Sequence, residues 1–302
     1  MKSLRFYWNL LLESFNKFSE DNIMGQAAAL SYYTIFSLPP MLLVIMYTTT
    51  IFYDKAEIQR AIFTQISELV GADGATQLSN TLDKVGLFEG DWWQTAIGIG
   101  ALLFTSTTVF VTIQNALNNI FRVKPKPRLG WLKMATDRLI SFTTLLGIAF
   151  ILLVSLSINA IVSAFGEYLS QWLPDISLLF VSIINFFLPL IIITLLFALL
   201  FKYLPDAKLD WSETWIGAVI TAILFTVGKY AIAFYIGNSE TANLYDAAGS
   251  VLVIMVWVFY ASAIFLFGAV FTYVYAKALS DGIQPSSYAV RIEQREIEID
   301  KK

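Results

Sequence analysis

Long apolar stretches recur six times along the chain, separated by shorter polar connections. They run roughly Ala27–Tyr53, Gln94–Phe121, Arg138–Ala164, Ser177–Phe201, Trp211–Ile236 and Gly249–Ala276. A helix rising 1.5 Å per residue needs about 20 apolar residues to cross the hydrocarbon of a bilayer, and each stretch reaches that length. The ten-residue alternation of an outer-membrane barrel is missing. A soluble helical core is excluded by composition. Of 302 residues, 57% are hydrophobic and 14% charged, against about 25% charged in soluble domains. The pattern predicts an all-α polytopic membrane protein of about six transmembrane helices, with amphipathic interfacial and outer-surface helices around them.

Two flanking regions carry the amphipathic signal. Between residues 4 and 18, Leu4, Trp8, Leu11, Leu12, Phe15 and Phe18 stand opposite Arg5, Asn9, Glu13 and Lys17. This suits a helix lying in the headgroup plane. The first outer connection, Asp54–Asp91, repeats the pattern with Ile58, Ile62, Ile66 and Leu69, then Leu78, Leu82 and Val85. The expected organisation is an amphipathic helix over 1–21, a six-span domain over 22–279 with an outer cap at 54–91, and a polar, mobile tail over 280–302. The start of the chain lacks the clean apolar run of a cleavable signal peptide.

Charge sets the expected orientation. Of the 20 basic residues, the outer connections receive only Lys55, Arg60 and Lys84, and Lys229 alone falls inside a span. The rest gather on the amino-terminal side, including the run from Arg122 to Arg138, when both termini are placed in the cytoplasm, as the positive-inside rule requires. That run is read as an orientation determinant and a contact to anionic headgroups, not as a nucleic-acid site.

Candidate chemistry is confined to a few polar side chains. Thr105, Thr108, Thr112, Asn115, Asn119 and Arg122 recur at helical spacing along one face of the second span. They fit either interhelical hydrogen bonding or the lining of a polar cavity, and both readings stand. Asn22, Gln26, Tyr33 and Ser37 form a matching stripe on the first span, which ends at Pro39-Pro40. Two adjacent prolines are expected to kink or break that helix. Pro189 is a second interruption, in the fourth span. Prolines at matching places in two inverted halves point weakly to a transporter's midplane site. Lys229 is expected either to snorkel outward or to face inward and meet an anionic group, with Asp246 as a candidate partner.

The ordered motifs resemble the YihY/BrkB family of bacterial inner-membrane proteins. The likeness rests on Glu20-Asp21-Asn22, Ala29-Leu30-Ser31-Tyr32-Tyr33 and Ser37-Leu38-Pro39-Pro40, then on Asn115-Ala116-Leu117-Asn118-Asn119-Ile120-Phe121-Arg122. Trp215-Ile216-Gly217-Ala218, Gly228-Lys229, Gly249-Ser250, Trp257-Val258-Phe259-Tyr260 and Gly268-Ala269 continue it. The resemblance covers about residues 15 to 277 and implies an inner-membrane location. Labels within the family range from ribonuclease to virulence or serum-resistance factor, and movement of lipids or other amphiphiles has been suggested. Two positions depart from the family pattern: Val270 stands where Gly-Ala-Glu is usual, and Asp246 where glycine follows the tyrosine. A family activity that needed that glutamate would be altered here.

The chain has no cysteine and no histidine. The commonest general base and the usual soft-metal ligands are therefore missing, and no cofactor, metal site or catalytic set is expected. No phosphate-binding glycine loop appears either. The leading expectation is a transporter or flippase for an anionic, lipid-like or amphiphilic solute, with membrane lipids as partners and no nucleic acid. A non-transporting scaffold or assembly factor for envelope proteins is the alternative, and the ribonuclease reading is disfavoured. Homo-oligomers are compatible with this pattern without being required by it.

Overall fold

A computed structural model describes residues 4–49, 54, 56–64, 67, 75–76, 92–126, 130–170, 174–238, 246–279 and 282–293. The main helices are α1 (Leu4–Glu20), α2 (Ile23–Thr49), α3 (Trp92–Ser106), α4 (Thr108–Ile120), α5 (Gly130–Ser170), α6 (Pro174–Tyr203), α7 (Trp211–Asn238) and α8 (Asp246–Leu279). Short strands β1 (Val123–Pro125), β2 (Ala207–Lys208), β3 (Gln284–Pro285) and β4 (Ala289–Arg291) lie between and after them. Among the described residues, five stretches are long and apolar enough to cross a membrane: Ile23–Met46, Ile99–Ile120, Phe186–Tyr203, Trp211–Lys229 and Ile254–Leu279. The sixth expected span falls within α5, whose 41 residues extend about 60 Å. Many α5 side chains lie outside the described residues. The chain is an all-α polytopic membrane protein.

Helix α8 is the hub. It packs on α1, α2, α4 and α7, while α7 leads to α6, α6 to α5, and α5 back to α2 and α4. Its buried side includes Leu266, Ala269, Val270, Phe271 and Val274. Close approach to α7 depends on two glycines. A side chain at Gly217 would overlap the Thr272 hydroxyl, and one at Gly268 would overlap the Thr221 hydroxyl. Each threonine donates back to a glycine carbonyl on its own helix, Thr221 Oγ1 to Gly217 O and Thr272 Oγ1 to Gly268 O, both at 2.7 Å. Each hydroxyl is thus satisfied within its own helix while it fills the notch in the other, as membrane packing favours.

The prolines do not break their helices. Helix α2 continues through Pro39 and Pro40, and α6 through Pro189. A proline removes one backbone donor, and neighbouring helices can hold the turn together. The interruption lies instead at Thr107, between α3 and α4, in a span with no proline. Four successive hydroxyls bond back to carbonyls one turn earlier: Thr105 to Ala101, Ser106 and Thr107 to Leu103, and Thr108 to Phe104. Such back-bonding competes with the helix's own amides and bends it.

Helix α1 splits its apolar residues between two faces. Leu10 and Ser14 are buried, and Phe18 meets Phe267 edge-on at 5.7 Å. Trp8, Leu12 and Phe15, spaced four and three apart, remain 62%, 49% and 66% exposed. An outward apolar stripe on a surface helix suits contact with acyl chains. Of the expected outer cap, residues 56–64 are helical, and Ile58 packs with Leu43 and Met46; most of 54–91 lies outside the described residues.

The tail is more ordered than its polarity suggests. Strand β4 pairs antiparallel with β1 (Val123↔Arg291, Pro125↔Ala289), and β3 with β2 (Ala207↔Pro285, Lys208↔Gln284). Ile283 and Ala289 are buried at the junction. Residues 282–293 therefore strap together the connections after α4 and after α6, at what is here termed the strand-bearing end. The expectation of a mobile tail fails for this segment, because its backbone groups complete ladders. Residues 294–302 lie outside the described part.

Candidate functional site

The polar stripe of the second span faces outward. Thr105, Asn115 and Asn119 are exposed, and Thr108 and Thr112 are partly exposed. Thr105 to Asn119 covers about 21 Å along the helix, most of the roughly 30 Å hydrocarbon thickness. Beside it stands Arg138, from the third turn of α5. Its Nη1 donates to Phe104 O at 2.8 Å, Thr107 Oγ1 at 3.0 Å and Thr108 Oγ1 at 3.1 Å. Its guanidinium carbon lies 4.0 Å from the centroid of the Phe104 ring. The guanidinium thus caps the carbonyl at the helix break and sits on an aromatic face. All three bonds leave from one nitrogen, so among the described residues the Nε and Nη2 hydrogens remain available to an anion.

The other expected residues scatter. On α2, Tyr33 is exposed and Ser37 buried, so the proposed stripe does not form one lining face. Asn22 is exposed in the turn before α2, in a left-handed conformation with φ 49°. Gln26 donates to Asp21 O at 3.3 Å, and its Oε1 is buried without a hydrogen-bond partner. Pro39 and Pro40 are half-buried within α2, and Pro189 is exposed. Lys229 is half-buried in a recess against α8, lined by Phe225, Trp257, Tyr260, Ala261 and Ile264. The recess holds about 10 Å³, at the lower limit for a single water. Lys229 sits on α7, whose main partners are α6 and α8, away from the α3–α4 stripe. The side chain of Asp246, its suggested partner, lies outside the described residues.

Arg122 is anchored rather than presented. It pairs with Asp21 at 2.6 Å, and Lys17 pairs with the same carboxylate at 2.8 Å. Arg122 holds φ 56°, which lets the chain turn sharply from α4 into β1. This ties the α1–α2 turn to the end of α4. Arg122→Met should lower the unfolding free energy by about 1–2 kcal/mol, since both partners keep some solvent contact. Thermal unfolding of the purified protein would measure it, and no change would mean that the pair carries no stability.

A buried polar cluster escapes the sequence reading. Gln114 and Asn118 lie one position back from the stripe residues, so they face the bundle at 2% and 5% exposure. Asn118 Nδ2 donates to Asp206 Oδ2 at 2.9 Å, and the Asp206 amide donates to Asn118 Oδ1 at 2.8 Å. Gln114 Nε2 lies 3.1 Å from Asp137 Oδ1 and 3.2 Å from Asp206 Oδ1. Asp206 itself is 1% exposed. The adjacent pair Asn118-Asn119 is the only sequence hint, and it does not say which asparagine turns inward.

Residues 14–292 match a family model described as Virulence factor BrkB. The chain belongs to the BrkB family. It is 28% identical to a UPF0761 membrane protein of Verminephrobacter eiseniae, over 92% of this chain and 65% of that one. A UPF0761 membrane protein of Albidiferax ferrireducens is 26% identical over 89% of this chain and 62% of its own. One of Psychromonas ingrahamii is 27% identical over 89% and 88%. The chain thus spans less than two thirds of the length of the first two relatives. These BrkB-family relatives are named as membrane proteins, without an activity. No solved structure matches. Val270, where the family resemblance leads one to expect glutamate, is fully buried in the core of α8.

Proposed function

We propose that this BrkB-family chain moves an anionic amphiphile across the cytoplasmic membrane of a bacterium, with both termini in the cytoplasm. The supporting observation is the outward polar face from Thr105 to Asn119 with Arg138 at its helix break. A lipid-like molecule can slide its head group along such a face while its tails stay in hydrocarbon, so the head is never fully stripped of polar partners. Arg138 meets a phosphate or carboxylate at the Thr105 end of that face, beside Thr107 and Thr108 near the middle of the span Ile99–Ile120, where an unpaired anion is most costly. Arg138 takes the anion-contact role expected of Lys229, because Lys229 lies half-buried in a small recess lined mainly by apolar and aromatic side chains. With no histidine or cysteine in the chain and no bond-breaking constellation assembled among the described residues, transport suits the residues better than catalysis.

The test is reconstitution of the full chain in vesicles carrying a fluorescent phosphatidylglycerol, with dithionite reporting its passage between leaflets. Arg138→Gln should slow passage at least tenfold, about 1.4 kcal/mol in barrier, while the protein stays monodisperse. Equal rates for the variant and the parent, or no passage with the parent, would end this reading. The second reading, a non-transporting scaffold, draws on the strapped platform of β1–β4 and β2–β3 at the strand-bearing end. Capture of one stoichiometric envelope protein by a chain that moves no lipid would select it.

A further inference from the structure

We infer that the strand-bearing end holds a binding site for a hard divalent cation, built from Gln114, Asp137 and Asp206. The inference is independent of transport. Asp137 Oδ1 and Asp206 Oδ1 both accept from the single Gln114 Nε2, at 3.1 and 3.2 Å, so these two oxygens are no more than about 6 Å apart. The carboxylates come from different elements, Asp137 from α5 and Asp206 from the connection between α6 and β2. Their meeting is a product of tertiary packing, not of local sequence.

The independent pointer is the other end of the same amide. Gln114 is 98% buried, and its Oε1 has no hydrogen-bond partner. That oxygen shares a carbon with the nitrogen that touches both carboxylates, so it belongs to the same small volume. A buried acceptor without a donor is costly and rare in native proteins. Whatever else the carboxylates touch, an orphaned amide oxygen beside two acids makes the place rich in acceptors, and a positive charge corrects that. A cation bridging Gln114 Oε1 to a carboxylate oxygen would occupy the position that a hydrogen occupies in an acid–amide pair.

The donor chemistry selects the class of ion. Among the described residues no three His, Cys, Asp or Glu side chains gather, so a soft or strongly chelated transition metal is a poor fit. Two carboxylates and an amide oxygen suit Mg²⁺, which keeps several waters, or Ca²⁺, which accepts amide and carboxylate oxygens together. Lacking histidine and cysteine removes the donors of zinc and copper sites but leaves oxygen ligands untouched. An ion here would join α4, α5 and the α6–α7 connection, and through the Ser286 amide on Asp206 O it would reach the tail strap.

Thermal unfolding of the purified full chain in detergent, followed by tryptophan fluorescence, tests the site. MgCl₂ and CaCl₂ are each compared with choline chloride at matched ionic strength. At a hundredfold excess over Kd, one of the two should raise Tm by about 5 °C or more beyond the choline control. Asp137→Asn should lose that increment, and Gln114→Glu, which adds a carboxylate oxygen, should enlarge it. The same shift in choline chloride, or an undiminished shift in Asp137→Asn, overturns the site. Should Asp137→Asn not yield folded protein, Gln114→Glu decides alone: a larger cation-specific shift supports the site, and an equal or smaller one overturns it.

Discussion

Valine at Gly217 or Gly268 should leave little folded protein to purify. A side chain at Gly217 meets not only the Thr272 hydroxyl but its Cβ at 3.0 Å and Cγ2 at 3.2 Å. One at Gly268 meets Thr221 Cβ at 2.8 Å and Cγ2 at 2.9 Å. Neither threonine can simply swing aside, because its hydroxyl is bonded to the glycine carbonyl one turn back. Turning it away would strand a hydroxyl in a dry interface, so α7 and α8 must separate instead. Even alanine should cost about 1–3 kcal/mol, and valine, branched at Cβ, more than that. Size-exclusion profiles and thermal unfolding in detergent would measure the loss. Gly100 and Gly147 are internal controls: nothing stands within 4 Å of a Cβ at either, so alanine there should be neutral or slightly stabilising. Pairing Gly217→Ala with Thr272→Ala should recover part of the loss, because the overlapping hydroxyl is gone. Wild-type stability in Gly268→Val would mean that these helices do not approach as described.

The spans were legible in the sequence for a simple reason, since only a bilayer needs such lengths of apolar helix. What a periodic pattern cannot supply is the rotation of a helix about its own axis. Thr105, Thr112, Asn115 and Asn119 share a face, but it is turned outward instead of toward another helix or a cavity, and neighbours one residue back turn inward. Gln114 and Asn118 face the bundle because α4 packs against α5 and α8, a fact of tertiary contact. Arg138 was hidden differently. A hydropathy reading ends a span at a charge, so the residue was counted with the basic connection. Its long side chain in fact reaches up to the Phe104 carbonyl. The helix break went unseen because prolines drew attention to α2 and α6, whereas Thr105-Ser106-Thr107-Thr108 bends the chain through hydroxyls. The tail looked mobile because strands of two or three residues leave almost no periodicity.

Asn118→Leu should destabilise the chain by about 2–4 kcal/mol, the cost of taking two hydrogen bonds from a buried aspartate. The side chain both donates to Asp206 Oδ2 and accepts from the Asp206 amide, so one substitution removes two hydrogen bonds from a residue that is 1% exposed. Leucine shares the branched outline of asparagine and is bulkier, so no cavity accounts for the loss. Asn118→Leu combined with Asp206→Leu should be less destabilised than Asn118→Leu alone, since an apolar pair needs no hydrogen bonds. That reversal separates an electrostatic cause from a packing one. The damage should also travel. The Ser286 amide donates to Asp206 O at 3.0 Å, and β3 pairs with β2 immediately beyond it. Loosening Asp206 should therefore speed hydrogen exchange across 282–293 before it affects α7 or α8. If the tail keeps its protection while global stability falls, Asp206 holds α4 to the α6–α7 connection but does not hold the strap.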